Sequence, residues 1–292
     1  QNRTSDPLVA GVANGTWASG GTYPAATGGV GAAGTQTATL AFGGAPPTTN
    51  ATNEYDGTSW TSGGNMNVSA YLRFGAGTQT AGLAAGGRAP AFQDTTETYN
   101  GSAWSEVSEL NTAKSYAQYS LGTQTAALFA GGDVAATVGT DLVELWNGSA
   151  WTETTEINTA RENLGGFGIS TSAIVSGGTL PPGVKDEVES WNGSAWTEVS
   201  EINTARNQHG SAGDSNSSGL AFAGTTGSAV AITEYWDGTS WTEIADLSNA
   251  RDELGSTGSS SSAIGIAGEN GPYKNTTEEF TAATITDSIV TE

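Results

Sequence analysis

Four of the nine cationic residues stand at one repeating offset: Lys114, Arg161, Arg206 and Arg251 each lie ten positions after a tryptophan. The same offset elsewhere falls on Thr27 and Ala70. Guanidinium groups hold carboxylate and sulfate groups through paired N–H donors, so an arc of these cations on one face would suit an acidic glycan. A structural reading stands beside it, in which each cation bridges an acid nearby, such as Glu156 or Glu201 five residues after their tryptophans. A second set of acids, Glu106, Glu153, Glu198 and Glu243, lies two residues after tryptophan. On an outermost strand they would charge an edge and deter pairing between molecules.

Other chemistry is thinly represented. With no cysteine there is no disulfide, no thiolate nucleophile and no Cys-ligated metal. His209, the one histidine, stands beside Asn207 and Gln208 and reads as a loop residue rather than a base. The loops around 133–141 and 186–187 carry acids, but no spacing matches an oxygen-ligand calcium loop. Neither a cofactor nor a metal site is expected. Thirty acids against nine Lys and Arg give a net charge of −21, which would repel nucleic acid and anionic lipid. The apolar runs, such as that from Ala126 to Ala130, are far short of the ~20 residues that span a bilayer. A soluble chain without membrane insertion is expected, and its start at Gln1 suggests processing or excision from a longer chain.

The elements that must position these residues are legible from an internal repeat. A turn followed by tryptophan recurs at Trp17, Trp60, Trp104, Trp151, Trp196 and Trp241, for example as Asn147-Gly148-Ser149-Ala150-Trp151. In phase with it run short apolar segments ending in small residues, at 40–44, 83–87, 128–132, 174–178, 220–224 and 264–268. An acid one or two places before an aromatic forms a third series: Glu54, Glu97, Glu144, Glu189, Glu234 and Glu279. Asn-Gly and Asp-Gly are strong hairpin signals, and no helical period interrupts them. Each unit therefore reads as four strands; in one, these are 114–121, 126–132, 142–146 and 151–157, with Gly122-Thr123-Gln124-Thr125 as a turn. A single four-stranded sheet cannot bury both faces, so the copies must stack radially.

An all-β, six-bladed β-propeller of four-stranded antiparallel blades is expected over residues 13–280, flanked by segments 1–12 and 281–292. The chain opens on a fourth-strand motif at Trp17 and ends on a third-strand motif at Glu279-Phe280, so the two ends should complete one blade. The six tryptophans then read as blade anchors, the alternative being exposed sugar-stacking platforms. The small-residue pairs read as close sheet contacts. Asn100, Asn147 and Asn192 fit the N-glycosylation pattern, but their phase with the Asp-Gly turns makes them turn residues first.

With a Gly pair ending the second strand, an aromatic in the third and Trp starting the fourth, residues 14–280 resemble kelch and galactose-oxidase central-domain propellers. The Thr, Ser and Ala richness and the near-identical Asn-Thr-Ala-Arg and Gly-Thr-Gln-Thr-Ala segments are similar to kelch-like propellers of tailed-phage virion proteins. The resemblance implies a ligand face built from inter-blade loops and second-to-third-strand loops, which begin near Ala45, Arg88, Asp133, Thr179, Thr225 and Glu269. Galactose-oxidase chemistry, with two His and a Tyr crosslinked to Cys, does not fit this composition, and no sialidase-like cluster stands out. The expectation is a non-enzymatic virion structural protein at the particle surface, in tail, fibre or capsid decoration. Its partners would be other virion proteins, host-surface polysaccharide and further copies of itself, with no role for nucleic acid. The alternatives are an extracellular lectin-like propeller and, behind it, a glycan-cleaving enzyme.

Overall fold

The computed structural model describes residues 12–115, 119–134 and 139–284. Among them the chain forms six four-stranded antiparallel sheets, the blades of a six-bladed β-propeller. Blades 1 to 5 occupy residues 31–62, 74–107, 122–153, 165–199 and 210–244; blade 6 joins 255–281 to the N-terminal strand Thr16–Ser19. That strand lies antiparallel on Thr277–Thr281, with Trp17 opposite Phe280. The innermost strands complete the ring: Gly31–Thr35 sits between Phe74–Thr78 and Gly255–Ser259, and Gly210–Ser215 between Gly165–Ile169 and Gly255–Ser259.

Burial falls from axis to rim within each blade. Second strands such as Ser172–Ser176 are almost wholly buried, whereas fourth strands such as Trp196–Val199 bury the tryptophan and expose the residues after it. Crowding at the axis explains the glycine there: a Cβ on Gly75 would lie 2.0 Å from the Ala32 carbonyl of the neighbouring blade. Glu106, Glu153, Glu198 and Glu243 stand exposed on fourth strands, as an edge role requires.

Each tryptophan joins two blades. Its ring packs on the third-strand aromatic directly opposite, as in Trp146–Trp151 and Trp191–Trp196, at centroid distances of 5.4 and 5.1 Å. Its indole N–H reaches the preceding blade: Trp104 donates to Thr52, Trp151 to Thr96, Trp17 to Thr233 and Trp60 to Thr277. Trp196 and Trp241 donate to the Thr155 and Ser200 carbonyls. Trp104, Trp151, Trp196 and Trp241 are buried, and Trp17 and Trp60 half-buried, so none stands as an open stacking platform.

The Gly-Thr-Gln-Thr segments are staples as well as turns. Gln36, Gln79 and Gln124 each donate from Nε2 to two backbone carbonyls of the preceding blade. Gly122 and Thr123, expected within a turn, instead pair with Ala127 and Ala126, leaving Gln124 and Thr125 at the bend. The expected strand 114–121 also changes: Lys114 belongs to the incoming linker, and residues 116–118 lie outside the described residues. The fourth strand of the same blade stops at Glu153 rather than 157. In the 3–4 hairpins the Asn or Asp oxygen accepts the next two available amides, as Asn147 Oδ1 does from Ser149 and Ala150 at 3.0 Å each. Of the expected flanks, residues 1–11 and 285–292 lie outside the described residues, while Thr281 still belongs to a strand.

Candidate binding face

The linkers that lead from one blade to the next share a face with the loops between second and third strands. Six equivalent bridges tie them: Gly28 to Ala45, Tyr71 to Arg88, Ser115 to Asp133, Glu162 to Thr179, Asn207 to Thr225 and Asp252 to Glu269. The opposite face carries the short 1–2 and 3–4 hairpins.

Beneath the linkers lie Lys114, Arg161, Arg206 and Arg251, all at 0% exposure. Each forms an ion pair with the glutamate of its own blade's third strand. Arg161–Glu189 and Arg206–Glu234 close to 2.7 Å, Arg251–Glu278 to 2.9 Å and Lys114–Glu144 to 3.4 Å. The expected cationic arc is thus a set of buried pairs that offers no charged head to a ligand, and the partners are not Glu156 or Glu201. The reason is register. Glu144, Glu189 and Glu234 stand directly opposite the edge acids Glu153, Glu198 and Glu243 across the sheet. Like charges so placed repel, and the cation beneath each pair offsets part of that repulsion. Burial draws each of these cations' pKa down while the paired carboxylate pushes it back up; Lys114 is left at about 8.

The Asn-Thr-Ala-Arg repeat completes this clamp. Asn158 and Asn203 donate from both backbone and side chain to Glu189 and Glu234. The residue ten after tryptophan also joins two blades by its carbonyl. Ala70, Lys114, Arg161, Arg206, Arg251 and Thr27 accept from Gly44, Gly87, Gly132, Gly178, Gly224 and Gly268 of the preceding blade. Those bonds need the small-residue pair to turn back sharply, with positive φ at both positions, 60° and 102° at Gly177 and Gly178.

Two site features escape the sequence pattern. Arg73, thirteen residues after Trp60, reaches Glu97 at 3.2 Å and supplies blade 2 with the pair that Ala70 leaves unmade. His209 occupies the same offset in blade 5, buried against Ser176 Oγ at 3.1 Å; burial and the nearby Arg206 and Arg161 hold its pKa well below the usual value. It is a neutral interior group rather than a loop residue. The acid series also shifts: the glutamate that binds a cation is consistently two places before the aromatic, so blade 6 uses Glu278 rather than Glu279 and blade 1 has Asn53 there. Glu54 and Glu279 accept from Tyr99 and Tyr55 of the next blade instead.

On the face itself, a chain of backbone bonds runs around the axis. The amides of Leu72, Gly29, Glu253 and Gln208 donate to the carbonyls of Gly29, Glu253, Gln208 and Asn163 in turn. Leu72, Asn163, Gln208 and Glu253 hold left-handed φ of 50–56°, a conformation that costs about 1–3 kcal/mol for a non-glycine residue. Around these bonds acids crowd. Burial, Glu269 and Asp252 push Glu253 up to about 7; burial and Glu269 push Asp252 up to about 6. Glu162 rises to about 7 through burial and Asp133. Against them stand Arg88, Lys185 and Lys274, the part-exposed cations among the described residues, all in second-to-third-strand loops. Two of these loops add small hairpins, Arg88–Ala89 with Ala91–Phe92 and Thr179–Leu180 with Gly183–Val184. Blade 1 contributes a cavity of about 230 Å³ between its linker and Pro46, Pro47 and Thr49. Among the described residues no three His, Asp or Glu side chains converge as metal ligands. No protein-family model matches the chain, and no curated protein sequence matches it.

Proposed function

We propose that the protein is a non-enzymatic binding propeller, a kelch-like virion structural protein of a tailed phage whose linker-and-loop face engages a host-surface glycan or another virion protein. The observation that carries this reading is the inequality of the two faces. One is built of near-identical hairpins whose Gln36, Gln79 and Gln124 side chains are taken up by blade-to-blade bonds and whose Asn and Asp side chains are taken up within their own turns. The other bears irregular loops, the part-exposed cations and strained backbone, all on a frame held by buried ion pairs. Irregular loops on a rigid frame are where recognition concentrates.

The test compares two variants for binding to immobilised bacterial surface polysaccharides. Shortening loop 45–50 and changing Lys185 and Lys274 to Ser is expected to abolish binding. Changing Ile169 and Asp214 to Ser on the hairpin face is expected to leave it intact, and the reverse result sinks the assignment of the face. Cryo-electron microscopy of native particles tests the virion part: a tail or fibre position supports adhesion and a repeated head position supports decoration. Absence from every particle would favour an extracellular lectin-like propeller.

A further inference from the structure

Five blades fill the same interior place with a cation: Arg73, Lys114, Arg161, Arg206 and Arg251. Blade 1 does not. It has Thr27 ten residues after Trp17, Val30 thirteen residues after it, and Asn53 where the other blades hold glutamate. Tyr23 stands six residues after Trp17, at the offset of the buried Leu110, Ile157, Ile202 and Leu247, and its hydroxyl accepts from Asn53 Nδ2 at 3.1 Å. The space that an arginine would take remains as the cavity lined by Tyr23, Thr27, Gly43, Pro46, Thr49 and Asn53.

Polar capacity in this cavity is unspent among the described residues. The Tyr23 hydroxyl accepts one bond, and its own proton has no acceptor. Thr49 Oγ1 accepts from the Ala51 amide and donates to nothing. Asn53 Oδ1 accepts nothing. The Gly43 carbonyl corresponds to those of Gly86 and Gly177, which accept from Arg73 and Arg161, and it receives no such donor. Donors and acceptors are therefore mixed, beside flat apolar surface from Pro46, Pro47 and Ala51. A charged head is disfavoured because Asn53 supplies no countercharge, and a buried ion without one is costly. Hydroxyl groups both donate and accept, and a sugar ring presents them around an apolar face. The volume, below the ~300–1,000 Å³ of sites for drug-sized molecules, admits one ring and not a chain.

We propose that blade 1 holds a binding site for a single neutral pyranose unit, free or at the end of a polymer, in the place that the other blades fill with a cationic side chain. This rests on the reading of the face as glycan-binding and assigns its chemistry to one cavity. The probes are neutral methyl pyranosides of glucose, galactose, mannose and N-acetylglucosamine, with methyl glucuronoside and N-acetyl-arginine amide as charged controls. Methyl NMR of the whole chain follows Ala25, Ala51, Thr27 and Thr49 at about 20 mM ligand, above the millimolar Kd expected of so small a group.

At least one neutral pyranoside should shift these methyls saturably, and the charged controls should not. The double change Thr27→Arg with Asn53→Glu rebuilds the sixth ion pair, should keep or raise Tm, and should weaken that binding at least about tenfold by filling the space. Thr49→Val, which removes one free donor, should weaken it several-fold and serves if the double variant fails to fold. No shift with any neutral pyranoside, undiminished binding to the filled variant, or preference for N-acetyl-arginine amide would each overturn the proposal. Polymer binding by wild-type protein that survives in the filled variant would leave the face reading standing while removing the cavity from it. Tighter binding of the terminal unit of a longer glycan than of the free pyranoside would identify the polymer end as the source.

Discussion

Replacing Arg206 by Met keeps the alkyl stem and deletes the guanidinium. Glu234 would then be buried without its 2.7 Å partner, still facing Glu243 across the sheet. Losing one member of a buried pair costs about 3–5 kcal/mol. Asn203 N, Asn203 Nδ2 and Thr204 N continue to donate to the carboxylate, which places the expected cost near the lower end, about 3 kcal/mol. At roughly 2 °C per kcal/mol for a chain of this size, Tm should fall by about 6 °C. Glu234→Gln alone strands the guanidinium and should cost a similar amount. The double variant removes both charges, and the one amide oxygen that remains can still accept from Asn203 N and Nδ2, so its cost should lie below either single, about 1 kcal/mol. Calorimetry of the four proteins gives the coupling, and polysaccharide binding is measured on the same samples. Singles that simply add would refute the pairing as the source of stability. Loss of polymer binding at unchanged Tm would return Arg206 to a ligand-contacting role.

Other outcomes follow from the same geometry. Lys114→Arg should raise stability by about 1 kcal/mol in calorimetry, because Glu144 Oε1 lacks a hydrogen bond that a guanidinium would supply, as in blade 4. Gly178→Ala should lower Tm by several degrees, since φ is 102° there and the new Cβ would lie 2.7 Å from the Glu162 carbonyl. Glu253, raised from 4.5 to about 7, binds its proton more tightly folded than unfolded. Its contribution is therefore complete at low pH and is lost as pH rises from about 4.5 to about 7. Tm measured across that window should fall with pH, and Glu253→Gln should flatten the slope; an unchanged slope would show that Glu253 is not the group responsible.

Much of the architecture is local and therefore legible in the chain. Asn-Gly and Asp-Gly turns require positive φ wherever they occur, tryptophan returns at a fixed phase, and strands too small to bury themselves must stack. Six blades, four strands each, and the meeting of Trp17 with Phe280 follow from those facts. The role of the recurring cations does not. Their spacing from tryptophan is visible, but whether a guanidinium points to solvent or inward depends on a partner 28 residues away in sequence, such as Glu189 for Arg161, brought close only when the sheet forms. Arg73 shows the same limit from the other side: it lies off the repeat phase, and only packing around the small Ala70 reveals that it fills the equivalent place. The cavity in blade 1 was likewise hidden. A threonine and an asparagine in a repeat look like ordinary variation, and their joint consequence appears once both line one space. Local backbone preference thus determined the number and order of blades, while burial and long-range pairing decided which repeated residues hold the ring together and which stay at its surface.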